Sequence, residues 1–333
     1  MTTSFPNYAD PSPLSNYFSI RLVAIIFTVT SLVCSIITAV VYVYLCFCNY
    51  EHAQRLTLQF VMVATVAAII VEILDIINWT LLGNSTYCGG ARTVILFFNC
   101  INAAALSCIG LNLVIILYFG MPKQRAIKPF YYPGIVLLSL IAISVPIYQA
   151  FNWYSQSSRP VQYERSCWYY SRHFDGTGES NFFWLWYYCF IFLIITVSAC
   201  LSMAAMWKLH SAYKSKKSSS QEAQEQTNNS IFYKVGVRCI LYSLVPFIVN
   251  VWSFIVQFVE FCPNHSNYPI SCIDAALSSC SGIFVSVIFF SEPTITSFIS
   301  ERWRNVHHSA QDTDEEPPHL LEEHSSAVSV HGI

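Results

Sequence analysis

The sequence predicts an all-α fold: a seven-transmembrane helix bundle with its amino terminus outside and a short amphipathic helix after the seventh span. Three observations lead there. Of 333 residues, 54% are hydrophobic and only 11% charged, against about 25% charged in soluble domains, and the mean hydropathy is +0.47. Seven runs each reach the ~20 mostly apolar residues that a spanning helix needs. The basic residues are sorted by loop, twelve on one set of alternate loops and five on the other. By the positive-inside rule this puts the amino terminus outside and the carboxyl terminus inside.

The elements follow in order. Residues 1–21 are the expected extracellular amino terminus. The first 19 hold no basic residue ahead of the apolar run, so they do not read as a cleaved signal peptide and the first helix itself targets the chain. The seven-helix domain spans 22–298, with helices expected at 22–48, 56–82, 93–119, 131–151, 182–207, 236–261 and 270–297. The inner-side basic residues are Arg55 after the first run, Lys123, Arg125 and Lys128 after the third, Lys208, Lys214, Lys216, Lys217, Lys234 and Arg238 between the fifth and sixth, and Arg302 and Arg304 after the seventh. The other side holds Arg21, Arg92, Arg159, Arg165 and Arg172. Within the inner loop 209–235, "SKKSSSQEAQEQTNNS" is polar without apolar periodicity and reads as disordered. After Pro293, Ile299, Trp303 and Val306 recur at helical spacing beside Arg302 and Arg304, the pattern of an amphipathic membrane-surface helix over 299–308. The remainder, 309–333, is an acidic tail expected to be disordered and cytoplasmic. In it Glu316 stands four residues before Leu320-Leu321, the spacing of a dileucine signal for a sorting adaptor; such short matches also arise by chance.

Sequons fit this orientation. Asn84-Ser85-Thr86 and Asn264-His265-Ser266 fall in outer loops and are the expected glycosylation sites, whereas Asn228-Asn229-Ser230 falls inside. Of thirteen cysteines, nine lie within helices or at their inner ends, where cysteine acts as a small apolar residue. Four lie outside: Cys88, Cys167, Cys262 and Cys272. In an oxidising compartment an even number invites pairing. Cys262 and Cys272 flank one short loop, which leaves Cys88 with Cys167. That bridge would pin the 151–182 loop, with "CWYY" at 167–170, over the bundle as a lid. The alternative is unpaired surface thiols.

A charged residue at a helix centre costs about 2.5–3.5 kcal/mol on insertion scales, so it seldom faces lipid. Glu72 and Asp75 lie one turn apart on the second helix, Asn99 and Asn102 on the third, Trp252 on the sixth and Asp274 on the seventh. Together they form the candidate ligand pocket; the bland alternative is interhelical hydrogen bonding that only holds the helices together. Pro246 falls within the sixth helix and is the candidate hinge, since proline removes a backbone donor and favours a kink. The inner residues Lys123, Arg125, Lys214, Lys216, Lys217, Lys234 and Arg238 form the face expected to meet a G protein or anionic lipid.

These features resemble a family. Seven helices with an outer amino terminus and a bridge from the third helix to the second outer loop look like a G-protein-coupled receptor. "CWYY", "LYSLVPFIVNVW" at 241–252 and "FFSEP" at 289–293 resemble the fungal and slime-mould cyclic-AMP-receptor-like and glucose-sensing receptors, with secretin-like affinities. The rhodopsin-like marks are missing: the third helix closes on "LYFGMPKQR" without Asp-Arg-Tyr. The resemblance implies a plasma-membrane receptor for an extracellular small molecule, a nutrient or something cyclic-nucleotide-like, that activates a heterotrimeric G protein and feeds cyclic-AMP signalling. No catalysis, cofactor or metal is expected, since none of the nine histidines lies in an expected helix core and the seventh helix, 270–297, holds no lysine. The acidic interior, with no basic residue in any helix core, suits a polyhydroxylated or cationic ligand better than cyclic AMP itself. The rival is a proton- or cation-coupled transporter using Glu72, Asp75 and Asp274; against it, no internal repeat links two halves of the chain.

Overall fold

The computed structural model describes residues 12–50, 54–80, 85–119, 121–156, 179–218, 236–237, 240–255, 268–292, 295–301 and 304. Among these the chain is helical throughout, without a strand. The helices are α1 (Ser12–Cys48), α2 (Leu56–Thr80), α3 (Ser85–Phe119), α4 (Met121–Gln156), α5 (Glu179–Ser218), α6 (Ile240–Ile255), α7 (Tyr268–Ser279) and α8 (Ser281–Phe290).

Five of them contain stretches long and apolar enough to cross a membrane: Leu22–Cys48, Leu56–Ile77, Thr93–Tyr118, Ile127–Tyr148 and Trp186–Ser211. The bent pair α7 and α8 makes a sixth if taken as one span. The chain is therefore a multi-pass membrane protein. α6 is apolar but, over its described residues, shorter than the ~20 residues of a full span; the rest of the helix expected at 236–261 lies largely outside the described residues. Several helices outrun their apolar cores. α1 begins at Ser12, α3 at Ser85 and α4 at Met121, and α5 continues to Ser218, ten residues into the stretch expected to be an unstructured loop. The physical reason is simple: hydropathy marks where lipid ends, and the backbone ladder of a helix continues into water.

Side-chain placement supports the membrane reading. On α1, Ile26, Val29, Val33, Ile36, Ile37 and Val40 are exposed, whereas Thr28, Ser31, Ser35 and Thr38 are buried. A helix that turns its branched apolar residues outward and its hydroxyls inward makes sense only where the solvent is lipid, because hydroxyls there must find partners inside the protein.

α3 is the central element. It packs against α2, α4 and α5, while α1 packs against α2 and α7, and α4 against α5. The most apolar stretch of α3 is 67% buried, against 28% for α1. One core runs from α3 (Leu96, Cys100, Ala103) through α4 (Ala142, Ile143) to α5 (Tyr187, Ile191, Ile195). There the Tyr187 hydroxyl donates to the Leu96 carbonyl at 2.9 Å. Phe192 of α5 stacks on Phe254 of α6 at 4.4 Å between ring centroids, and Phe60 of α2 meets the edge of Tyr131 of α4 at 5.3 Å.

Where α3, α5 and α6 meet, a glycine is required. A Cβ on Gly110 would collide with Ser202 Oγ and stand 2.9 Å from Ser243 Oγ. Those two hydroxyls, from α5 and α6, are 2.7 Å apart and hydrogen-bonded. Close approach over small residues is the usual means of joining helices in lipid, where apolar burial offers little driving force.

The chain divides into two compact units, Met1–Phe289 and Phe290–Ile333. In the second, a short helix covers 295–301. Thr296 Oγ1 lies 3.0 Å from the carbonyls of both Phe290 and Glu292. This helix begins four residues before the amphipathic segment expected at 299–308, and residues 305–308 lie outside those described.

Candidate functional site

The seventh expected helix is not one rod. α7 ends at Ser279 and α8 starts at Ser281, and their apolar segments meet at an angle of 42°. The local sequence "SSCSG" at 278–282 explains the break, since serine hydroxyls compete for backbone groups and glycine stabilises a helix poorly. Cys280 N–H turns back to the Leu277 carbonyl at 3.1 Å, closing α7 with a tighter turn. The break leaves the first N–H groups of α8 without partners inside their own helix. Gly282 N–H instead donates to Ser31 Oγ of α1, at 3.0 Å.

Ser31 passes that polarity on. Its hydroxyl donates to Glu72 Oε1 of α2 at 2.5 Å. Glu72 is only 4% exposed, and among the described residues no basic side chain pairs with it. The buried Ser35 hydroxyl stands against the same carboxylate, a second donor beside Ser31. Gly282 has no room for a side chain: a Cβ there would stand 2.6 Å from Ser31 Oγ, 2.8 Å from Glu72 Oε1 and in collision with Ser35 Oγ. Oxygens from two helices thus gather beside the backbone of a third.

This cluster is the middle of a longer polar seam. One turn to one side, Thr28 Oγ1 lies 3.2 Å from Ser279 Oγ. To the other side, Thr38 donates to Ser286 Oγ at 2.8 Å and Ser286 donates to the Gly282 carbonyl at 2.7 Å. The α1 residues of the seam recur at i, i+3, i+7 and i+10, a single helical face. At 1.5 Å per residue they cover about 15 Å along the helix axis.

The six expected pocket residues come from four helices, α2, α3, α6 and α7. Glu72 belongs to the seam. Asp75 is half-buried, one turn further along α2. Asp274 of α7 is buried and accepts a hydrogen bond from Ser253 Oγ of α6 at 2.5 Å, so it joins two helices. Asn102 of α3 is buried with its Oδ1 lacking a hydrogen-bond partner; Asn99 and Trp252 are half-buried. Pro246 lies within α6 and is buried, and Asn250 Nδ2 donates to its carbonyl at 2.7 Å.

Of the remaining residues singled out in the sequence, Lys123 and Arg125 fall in the first turn of α4, and Lys214, Lys216 and Lys217 in the last turns of α5. Cys88 lies in the first turn of α3, and Cys272 on α7 is half-buried with a free thiol. Asn84, Cys167, Lys234, Arg238, Cys262, Asn264, Glu316, Leu320 and Leu321 lie outside the described residues. Ser31, Ser35, Ser253 and Gly282 escaped sequence reasoning. The helical spacing of Thr28, Ser31, Ser35 and Thr38 is the signal that could have found the first two.

Lys208, on α5, adds a tie at the end of α3. Its Nζ donates to the Leu117 carbonyl at 3.3 Å and sits 3.7 Å from the centre of the Tyr118 ring. A cation on the last carbonyls of a helix complements the helix dipole.

No family model matches the chain, and no curated protein matches it.

Proposed function

We propose that the chain is a plasma-membrane G-protein-coupled receptor resembling the cyclic-AMP-receptor-like and glucose-sensing group. In this reading an extracellular small molecule binds between the helices, and a heterotrimeric G protein docks on the inner face and feeds cyclic-AMP signalling. The observation that supports it best is the joint between α3, α5 and α6. There a central helix meets two others through Gly110, Ser202 and Ser243, contacts weak enough to be exchanged. One of those helices carries Pro246 three residues beyond the joint. At this joint a single hydroxyl pair ties α6 to α5, so freeing α6 there costs of the order of one hydrogen bond, roughly 0.5–1.5 kcal/mol. A ligand shifts such an equilibrium by its difference in affinity for the two states. Opening exposes a cavity bordered by the basic ends of α4 and α5, whose Lys123, Arg125, Lys214, Lys216 and Lys217 meet the partner. Nucleotide exchange takes place in the G protein, and the chain acts by shape alone.

The test is cyclic-AMP measurement in cells expressing the chain, screened with sugars, amino acids and cyclic nucleotides. A response to one class, lost when G-protein coupling is blocked, supports the reading; a response that survives the block overturns it.

One observation favours the transporter reading: a broken span beside a buried carboxylate, the arrangement in which carriers hold ions. Sodium- or proton-driven uptake of a solute into proteoliposomes, lost in Glu72→Gln, would establish it in place of the receptor.

A further inference from the structure

We propose that the C-terminal end of α3, beside Lys208 of α5, holds one anionic phospholipid, with its phosphate on the Lys208 ammonium and an acyl chain along an exposed strip of α3. The proposal does not depend on whether the chain signals to a G protein.

Of the five apolar spans α3 is the most enclosed, yet it has a window. Between Ile95 and Tyr118 only Leu111 and Tyr118 are exposed, at 37% and 52%. Seven residues apart, they lie on one face of the helix, about 10 Å from each other along its axis. The core that α3 shares with α4 and α5 is built on Leu96, Cys100 and Ala103, in the other half of the helix. A gap on a helix flanked by α2, α4 and α5 is a groove open to lipid, and its length suits part of an acyl chain.

Lys208 closes one end of that groove. Its Nζ donates to the Leu117 carbonyl at 3.3 Å and sits 3.7 Å from the centre of the Tyr118 ring, so the cation rests on the residue that floors the window. An ammonium has three N–H donors. The carbonyl takes one, the side chain is exposed, and among the described residues no carboxylate pairs with it. The neighbouring segments 119–128 and 207–218 hold three and four basic residues and no acidic one. The charge is therefore left for an anion from outside the chain.

Depth makes that anion a lipid. Lys208 still belongs to the apolar stretch Trp186–Ser211, where a lysine keeps its stem in hydrocarbon and lifts its head to the boundary. Trp207 beside it is 81% exposed, and an exposed indole suits the membrane–water boundary. A cation at that level, with an apolar groove leading from it into the membrane, matches a phosphate head with its tail. The surrounding basic residues select a head of net negative charge.

The test is native mass spectrometry of the purified full chain from micelles holding equal amounts of phosphatidylglycerol and phosphatidylcholine. The expected result is one phosphatidylglycerol retained per chain, in preference to phosphatidylcholine. Lys208→Gln should cut that preference about fivefold, the scale of one basic residue at an anionic surface. Lys208→Arg should keep it, and so should Lys217→Gln in the last turn of α5. Should Lys208→Gln fail to fold, quenching by brominated lipids decides the matter. Brominated phosphatidylglycerol should quench tryptophan emission more than brominated phosphatidylcholine does, and the excess should vanish in Trp207→Phe. Equal retention of the two lipids overturns the proposal, as does an excess of quenching that survives in Trp207→Phe. An equal loss in Lys217→Gln would show diffuse surface attraction, and displacement by inorganic phosphate an anion site that needs no tail. A chain dimer in place of the lipid-bound form would give the window to a second copy. Each of these also overturns it.

Discussion

Replacing Gly110 by alanine adds one methyl group at the point where α3, α5 and α6 converge. The added Cβ collides with Ser202 Oγ and comes within 2.9 Å of Ser243 Oγ and 3.0 Å of Ser243 Cβ. Ser202 can turn its hydroxyl aside only by giving up the 2.7 Å bond to Ser243. That loss costs about 0.5–1.5 kcal/mol. The contact with Ser243 Cβ cannot be relieved by rotation, and overpacking of this kind costs about 1–3 kcal/mol. Against this, alanine favours a helix over glycine by about 0.8–1.0 kcal/mol. The net expectation is destabilisation by about 1–3 kcal/mol, a melting temperature lower by roughly 2–10 °C. Gly134 of α4 is the control, because a Cβ there meets nothing within 4 Å. Gly134→Ala should be neutral or stabilising by up to ~1 kcal/mol. The assay is thermal unfolding of purified variants, with Gly110→Ala/Ser202→Ala completing a double-mutant cycle. Removing the Ser202 hydroxyl should recover part of the loss, a coupling of about 0.5–3 kcal/mol. An unchanged or higher melting temperature for Gly110→Ala, with Gly134→Ala as expected, would refute the packing argument.

Other outcomes follow from the same structure. Ser253→Ala removes the hydroxyl that bonds the buried Asp274 and should cost about 1–3 kcal/mol, seen as a lower melting temperature, while Ser253→Thr should retain most of the stability. Glycosidase treatment should shift the mobility of the wild-type chain. Asn84→Gln and Asn264→Gln should each remove part of that shift and Asn228→Gln none, as measured by gel mobility; use of Asn228 would invert the expected orientation. Cys88→Ala and Cys167→Ala should lower surface signalling equally, and the double variant no further. Unchanged signalling in well-expressed single variants would count against the lid.

How much of this was legible in the sequence depended on how unusual each residue is in lipid. Glu72 and Asp274 stood out because an intramembrane carboxylate needs a reason, and both are buried. Their partners did not, because Ser31 and Ser253 belong to a residue type that is common in membrane helices and stabilises them only locally. The apolar cores of α1 to α5 were readable because lipid imposes a length. Their true ends were not, since nothing in hydropathy stops α4 from beginning at Met121 or α5 from reaching Ser218. The break at Cys280 was hidden for another reason. The seventh helix was expected unbroken over 270–297, yet the chain bends at a serine–glycine cluster whose freed N–H finds its partner on α1. Such a choice is made by tertiary contact rather than by local propensity, as are the serine partners that Glu72 and Asp274 find on α1 and α6.

The most direct test of the receptor reading is nucleotide exchange by a panel of purified heterotrimeric G proteins, with the chain reconstituted in nanodiscs and the ligand classes above supplied in turn. The account predicts accelerated exchange on at least one G protein, altered by Gly110→Ala through the α3–α6 joint. Exchange at the rate of empty nanodiscs in every case, from chain shown to be folded, would contradict it.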